Sequence, residues 1–211
     1  MILLRLFSAI LFYASSVLSY IVNYRIINLF KKAGNIIYSG WVKNRLKESK
    51  GIVNIEYPIM LQGGKYISVG KNFGVKGRLR LEAIDTFLVQ SFQPEVIFGN
   101  NVFINYDCHI ACINKIIIGN NVLIGSRVLI TDHFHGEVDS RDLAIAPSLR
   151  QLTSKGTIIV EDNVWIGEGV VIMPNVTIGQ NAIIGANSVV TKNVPENSVV
   201  AGIPARIIKT L

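Results

Sequence analysis

A six-residue repeat is the feature of this sequence that most restricts how the chain can fold. A large apolar residue, here called the register residue, returns at every sixth position, with a two-residue slip after 110 and a gap between 130 and 160. The register residues are Phe98, Ile104, Ile110, Ile118, Ile124, Ile130, Val160, Ile166, Ile172, Ile178, Ile184 and Val190. Four positions after most of them comes a second, smaller side chain, at Val102, Cys108, Val122, Val128, Val164, Val170, Val176, Ala182, Ser188 and Val194. Such self-similarity defines a repeat architecture.

Two inward positions in every six residues predict short strands with one buried face. Three strands and three corners close a triangular coil of about 18 residues, which buries its core only by stacking on the next coil. The corners need residues that tolerate the left-handed backbone region, and Asn, Asp and Gly do so best. Three residues after the register residue stand Asn101, Asn121, Asn163, Asn175, Asn181, Asn187, Asn193, Asp107 and Gly169, whereas Ile113, Arg127 and His133 do not fit. The pattern therefore predicts an all-β parallel β-helix.

The rest of the chain is organised around this repeat. We predict an N-terminal apolar and basic helical segment over 1–50 and the β-helix domain over 51–211. Residues at about 134–155 break the register and predict a loop expelled from one corner. A short tail follows Val194. A loop of this length inside a compact domain is usually functional.

The charge is concentrated at the N-terminus. Residues 1–47 hold seven basic side chains and no acidic one, whereas the remainder holds 14 of each. From Leu6 to Tyr24 there are 19 uncharged residues. This favours a helix lying on or dipping into an anionic membrane surface, at the cytoplasmic face of the inner membrane. Packing against the chain's own domain or a neighbouring subunit, and a cleaved signal peptide, stay open. The pattern is not typical of nucleic-acid binding, because the basic residues are not interleaved with aromatic ones.

The two cysteines, Cys108 and Cys112, form neither a disulfide framework nor a CxxC zinc pair. They are predicted to be small core residues in a reducing compartment.

The C-terminal stretch IIVEDNVWIGEGVVIMPNVTIGQNAIIGANSVVTKNVPENSVVAGIPARIIK and the segment TDHFHG, with its loop ending in SKG, carry a resemblance. They resemble the hexapeptide-repeat acyltransferases, most of all the lipopolysaccharide and capsule polysaccharide O-acetyltransferases and the galactoside and maltose O-acetyltransferases. The resemblance covers about residues 65–211. It implies a left-handed coil, a homotrimer with active sites between subunits, acetyl-CoA as co-substrate, and no metal requirement.

The resemblance also implies site residues. A catalytic His stands five residues beyond the register position where the chain leaves for the loop, which is His135 when counted from Ile130, with His133 as the rival. Asn105 matches the polar partner of that His. An acidic residue that helps to bind acceptor in the family is replaced by Ile113. The residues that match contacts to the acyl-CoA are Trp165, Gly185, Ala186, Thr191, Lys192, Arg206 and Lys209.

A neutral imidazole suits acyl transfer to a sugar hydroxyl, because it takes the proton of a poor nucleophile as attack begins. Asp132 could hold the second ring nitrogen of a nearby His. Neither cysteine is adjacent in sequence to the candidate base, so direct transfer in a ternary complex is favoured. His109 is assigned no role.

We therefore predict an acetyl-CoA-dependent O-acetyltransferase acting on a surface-polysaccharide sugar. Three alternatives stay open. The first is another small acceptor, such as a nucleotide-linked amino sugar, serine or an antibiotic. The second is a γ-carbonic-anhydrase-like zinc enzyme that uses all three histidines. The third is an inactive β-helix serving as an assembly platform.

Overall fold

The computed structural model describes residues 2–20, 23–137 and 142–211. The chain divides into two compact units, Met1–Ile37 and Tyr38–Leu211. Helix α1 spans Ile2–Ser19 and helix α2 spans Tyr24–Lys43. Asn23 caps α2, because its side-chain oxygen accepts the backbone N–H groups of Arg25 and Ile26 at 3.0 and 3.2 Å.

The second unit contains a three-sided prism of short parallel strands. Sheet A consists of β1 (Glu48–Ser49), β4 (Ile67–Val69), β9 (Glu95–Phe98), β12 (Lys115–Ile118), β17 (Ile158–Val160) and β20 (Thr177–Ile178). Sheet B consists of β2 (Val53–Ile55), β5 (Phe73–Val75), β10 (Phe103–Ile104), β13 (Leu123–Ile124), β18 (Trp165–Ile166), β21 (Ile183–Ile184), β23 (Ser198–Gly202) and β24 (Ala205–Thr210). Sheet C consists of β3 (Met60–Gln62), β6 (Arg80–Ala83), β11 (His109–Cys112), β14 (Leu129–Thr131), β19 (Val171–Ile172) and β22 (Val189–Val190). The predicted left-handed parallel β-helix is confirmed.

Two excursions leave the prism at the corner that follows sheet C. The first is a hairpin of β7 (Thr86–Phe87) and β8 (Gln90–Ser91). The second is the predicted expelled loop, whose base is an antiparallel pair of β15 (His133–His135) and β16 (Leu152–Ser154). Its residues 138–141 lie outside the described part of the chain. Single 3₁₀ turns occur at Gly64–Tyr66 and Pro147–Leu149.

The ends of the prism are closed by the last residues of α2, from Tyr38 onward, and by the tail. Val42 of α2 is fully buried in the core, and the Ser39 hydroxyl accepts the Ile55 backbone N–H at 2.8 Å. This compact unit starts at Tyr38, and its first strand starts at Glu48. At the other end β24 pairs antiparallel with β23, which is how the predicted tail leaves the coil.

The core has the composition that the repeat predicts. Every register residue and every residue of the second apolar set is buried, including the polar Ser188, whose hydroxyl donates to the Gly185 carbonyl at 2.6 Å. The hexapeptide period therefore determines which side chains point inward along the whole prism.

The corner prediction is confirmed at eight of its nine positions. Asn101, Asn121, Asn163, Asn175, Asn181, Asn187, Asp107 and Gly169 have φ between 56° and 70°. It is wrong at Asn193, because the chain is leaving the coil there and Asn197 adopts φ 52° instead. Arg127 has φ 57° despite its residue type, and its guanidinium contacts the Glu168 carboxylate at 2.5 Å.

The corner between sheets A and B carries a continuous ladder of asparagine amides. Each side-chain N–H₂ donates to the side-chain oxygen of the next coil, at distances of 2.7–3.1 Å. The members are Asn72, Asn101, Asn121, Asn163, Asn181 and Asn197. The same asparagines thus supply the left-handed backbone and an extra bond between coils.

Two substitutions at Asn121 separate these contributions. Asn121→Gly keeps a residue that accepts positive φ but removes two ladder bonds, at a cost of about 1–2 kcal/mol. Asn121→Ala removes the same bonds and adds a left-handed strain of about 1 kcal/mol or more. We expect the urea midpoint, measured at equal protein concentration, to fall in the order parent, Gly, Ala. An Ala variant as stable as the Gly variant would show that the backbone requirement is wrong.

Candidate active site

The two candidate histidines stand at the start of the second excursion. The corner residues that follow sheet C are called the C–A corner, and those that follow sheet B are called the B–C corner. His133 and His135 occupy the two ends of β15, directly after strand β14 of sheet C. Both therefore project from the C–A corner, but their surroundings differ.

His133 is tied to a buried carboxylate. Its side chain is 8 % exposed and its Nδ1 lies 3.0 Å from Oδ1 of Asp132, whose side chain is fully buried. The same carboxylate accepts the backbone N–H of Ile113 at 2.9 Å and that of Asn114 at 2.8 Å. Asp132 thus joins the start of the loop to the preceding coil. Ile113 contacts this carboxylate only through its backbone N–H.

The pKa of Asp132 reflects this setting. Burial by itself raises the pKa of the carboxyl group. The hydrogen bonds from His133 and from the two backbone N–H groups together lower the pKa by more than burial raises it, so the net pKa lies below the ordinary value. Asp132 is therefore a carboxylate at neutral pH, and it fixes the orientation of the His133 ring.

His135 is exposed. It pairs with Leu152 in the β15–β16 ladder, and its ring meets Phe87 of the hairpin edge-on, with ring centroids 5.5 Å apart. The described residues make no hydrogen bond to its ring nitrogens. An exposed imidazole of this kind is accessible to a second molecule.

A groove with a volume of about 580 Å³ runs along the B–C corner. Four of the predicted site residues line it: Asn105, Trp165, Gly185 and Ala186. Trp165 is 53 % exposed, so about half of its surface faces the groove or solvent. The fold thus brings together predicted site residues that lie up to 81 positions apart in the chain.

A second cavity, of about 270 Å³, adjoins this groove, and Asn105 lines both. The exposed side chains of Phe103 and Leu123 form its apolar wall. Glu56 and Lys76 also line it and form an ion pair at 2.8 Å. These positions were not predicted from the sequence. The signal was present, because Phe103, Leu123 and Trp165 each precede a register isoleucine and so occupy the same outward position on sheet B.

The predicted cations fall in two different places, on sheet B and at the C–A corner. Lys209 lies in line with Trp165 on sheet B, through Ile183 and Val199 of the intervening strands, and Arg206 is exposed on the same strand as Lys209. Three strand spacings place Lys209 roughly 14 Å from Trp165 along the prism. Thr191 and Lys192 instead follow β22 and belong to the C–A corner.

The cysteines are poor nucleophiles in this structure. Both side chains are buried, and desolvation is the largest cause that raises the pKa of each thiol. Their predicted place in the core is correct. His109, which was assigned no role, lies with its Nε2 2.8 Å from Oε2 of the buried Glu82. Among the described residues there is no group of three His, Cys, Asp or Glu side chains arranged to hold a metal ion.

Known proteins match both the sequence and the fold. The profile of the bacterial transferase hexapeptide family (six repeats) matches residues 157–192, and that of the hexapeptide repeat of succinyl-transferase matches residues 115–131. WbbJ of Escherichia coli K12, named as a lipopolysaccharide biosynthesis O-acetyl transferase, is 38 % identical over 159 residues, covering 74 % of this chain and 77 % of WbbJ. Galactoside O-acetyltransferase of the same organism is 36 % identical over 126 residues, covering 57 % of each chain.

Solved structures agree. The hexapeptide-repeat acetyltransferase VCA0836 of Vibrio cholerae, in complex with acetyl-CoA, has a TM-score of 0.55 and 25 % identity, covering 90 % of this chain and 91 % of that one. Galactoside acetyltransferase in complex with CoA has a TM-score of 0.54 and 29 % identity, covering 81 % of this chain and 68 % of that one. The chain therefore belongs to the hexapeptide-repeat acyltransferase family. It is an acetyltransferase whose acyl donor is acetyl-CoA.

Proposed function

We propose that this chain is an O-acetyltransferase that modifies a hydroxyl of a surface-polysaccharide sugar, with His135 as general base. The observation that carries the proposal is that the chain presents both halves of such a site. An exposed imidazole stands on the C–A corner, and a groove lined by Asn105 and Trp165 runs along the B–C corner. His133 is less suited to reach an acceptor, because it is buried and its Nδ1 is bound to Asp132.

The chemistry is a direct transfer. His135 takes the proton of the acceptor hydroxyl as its oxygen attacks the thioester carbonyl. Backbone N–H groups at a coil corner are suitable donors to the oxyanion of the tetrahedral intermediate. The carbon–sulfur bond then breaks, and the CoA thiolate receives the proton from the imidazolium. The products are an acetyl ester and CoA, and the base returns to its neutral form.

The proposed site needs two copies of the chain. His135, Thr191 and Lys192 lie on the C–A corner, whereas Asn105, Trp165 and Lys209 lie on sheet B or at the B–C corner. One copy contributes one corner and its neighbour contributes the other, which is a head-to-tail contact. Such contacts close into a ring when the rotation permits. We propose that three copies close the ring, as the family resemblance implies.

The polysaccharide acceptor is supported by the similarity to WbbJ, named for lipopolysaccharide biosynthesis, which the chain matches over most of both lengths. The apolar wall and ion pair of the cavity next to Asn105 suit a sugar, which presents one apolar face and polar edges. The galactoside acceptor named for a second relative is chemically related.

A screen for CoA release tests the function. The full chain is mixed with acetyl-CoA and with purified surface polysaccharides, their lipid-linked precursors, nucleotide-linked amino sugars, serine and galactosides. We expect thiol release and a mass gain of one acetyl group on a polysaccharide or its precursor, removable by mild base as an ester is. Transfer confined to amines or to serine would overturn the proposed acceptor.

We further propose that the N-terminal unit binds the anionic surface of the inner membrane, on its cytoplasmic face. Its described side chains are almost all exposed, and among them are the large apolar residues Leu6, Phe7, Ile10, Phe12, Val17, Leu29 and Phe30. No single described helix is long and apolar enough to cross a bilayer, but α1 and α2 satisfy that criterion together as a bent pair. Exposed apolar area next to cations is typical of interfacial binding.

Vesicle binding tests this attachment. The full chain should bind vesicles of phosphatidylglycerol and phosphatidylcholine, and the double variant Lys31→Gln, Lys32→Gln should bind them about 30-fold more weakly, since each lysine near an anionic surface contributes roughly 1 kcal/mol. The matched control replaces two exposed lysines of the second compact unit, Lys71→Gln and Lys155→Gln, and should bind as the parent does. Equal losses in both double variants would refute a specific N-terminal contact.

A further inference from the structure

The hairpin β7–β8 has no place in the hexapeptide pattern, yet side-chain contacts tie its base to the prism. The carboxylate of Asp85 at its base accepts the Tyr66 hydroxyl at 3.0 Å and contacts the Lys65 ammonium at 3.0 Å. The hydrogen bond from Lys65 is the largest cause that lowers the pKa of Asp85. The hairpin is thereby fixed to the 3₁₀ turn Gly64–Tyr66, just before β4. It leaves the prism after β6, two coils before the excursion that follows β14 and carries His135.

From this anchored base the side chain of Gln90 reaches the second excursion. Its Nε2 donates to the Leu152 carbonyl at 3.1 Å, and its Oε1 accepts the Leu152 backbone N–H at 2.7 Å. One amide side chain therefore satisfies both backbone groups of a residue 62 positions away, as a neighbouring strand would. Leu152 is the direct ladder partner of His135.

The hairpin also touches the imidazole itself. Phe87, the ladder partner of Gln90, packs its ring edge-on against the ring of His135 at 5.5 Å between centroids. The ladder under His135 has three residue pairs, and a two-stranded ladder of that size is marginally stable by itself. The position of His135 therefore depends on support from outside its own loop.

We propose that Gln90 and Phe87 are positioning residues for the general base. Gln90 fixes the backbone of β16, and through it the height of His135 above the C–A corner, while Phe87 limits the rotation of the imidazole. This inference rests on the proposed role of His135. Displacement of a catalytic group by about 1 Å can lower a rate by roughly 10²-fold, so loss of this support should be visible in turnover.

The test combines kinetics with a direct probe of the ring. Gln90→Ala and Phe87→Ala should lower kcat about tenfold or more and leave KM for acetyl-CoA within about twofold. Gln90→Glu, which still accepts from the Leu152 N–H but cannot donate to its carbonyl when ionised, should fall between parent and Gln90→Ala. Gln93→Ala, an exposed amide in the same excursion, is the matched control and should behave as the parent does.

The chain has three histidines, so protein labelled with ¹³C at the imidazole Cε1 gives three signals, assignable with His109→Gln and His133→Gln. In Gln90→Ala the His135 signal should move or broaden while the His109 signal stays. If Gln90→Ala proves unstable, the same comparison is made in Gln90→Glu. An unchanged His135 signal together with unchanged kcat would overturn the inference. Full activity of His135→Gln alongside a displaced His135 signal in Gln90→Ala would instead overturn the role of His135 and leave the positioning intact.

Discussion

His135→Gln is expected to lower kcat for acetyl transfer by roughly 10²–10⁴-fold, the range that a positioned general base supplies. Glutamine keeps a polar side chain of similar reach but cannot take a proton at neutral pH. Because the residue is exposed and its ring bonds to no described residue, the variant should fold and bind acetyl-CoA as the parent does. Initial rates of CoA release, with binding measured by calorimetry, check both statements.

The comparison variant is His133→Gln. It disturbs a buried ring and the bond to Asp132, so we expect a lower melting temperature and a smaller loss of kcat than at His135. The reverse result, with His135→Gln active and His133→Gln folded but inactive, would make the His133–Asp132 pair the base. That pair has the geometry of an imidazole oriented by a carboxylate, which is why both variants are needed.

The sequence specified the prism because its determinants are local and periodic. A register isoleucine needs only its own strand to point inward, and Asn101 or Asn163 needs only its own corner to adopt positive φ. Asn193 follows the same spacing and fails, because the stacking that defines a corner ends where the tail leaves the coil. The period therefore predicts the local backbone conformation only where a further coil stacks on the one concerned.

The site was only partly predictable for a related reason. Trp165 and Asn105 were predicted from the family resemblance, and the structure brings both to one groove. The bonds that join Gln90 to Leu152 and Asp132 to Ile113 connect an excursion to its surroundings, and no repeat fixes where an excursion folds back. Such contacts depend on tertiary structure, which spacing along the chain does not encode.

Asp132→Asn is expected to destabilise the protein by about 3 kcal/mol at pH 7, because it leaves a buried imidazole and a backbone N–H without their charged acceptor. The matched control is Asp107→Asn, which alters an exposed ion pair with Arg78 at a corner where asparagine also tolerates φ 61°. Solvent screens such an exposed pair, so its loss should change the stability far less than the loss of Asp132. Urea unfolding at equal protein concentration compares the two.

The pH dependence of this effect has a definite sign. The folded-state pKa of Asp132 lies below the ordinary value of 3.8, so its carboxylate stabilises the fold fully above that value and progressively less as the pH falls through the folded pKa. The difference in unfolding free energy between parent and Asp132→Asn should therefore be largest near neutral pH and shrink below about pH 4. A difference that stays constant from pH 7 to pH 3 would mean that the buried carboxylate is not the charged group that holds the His135 excursion to the prism.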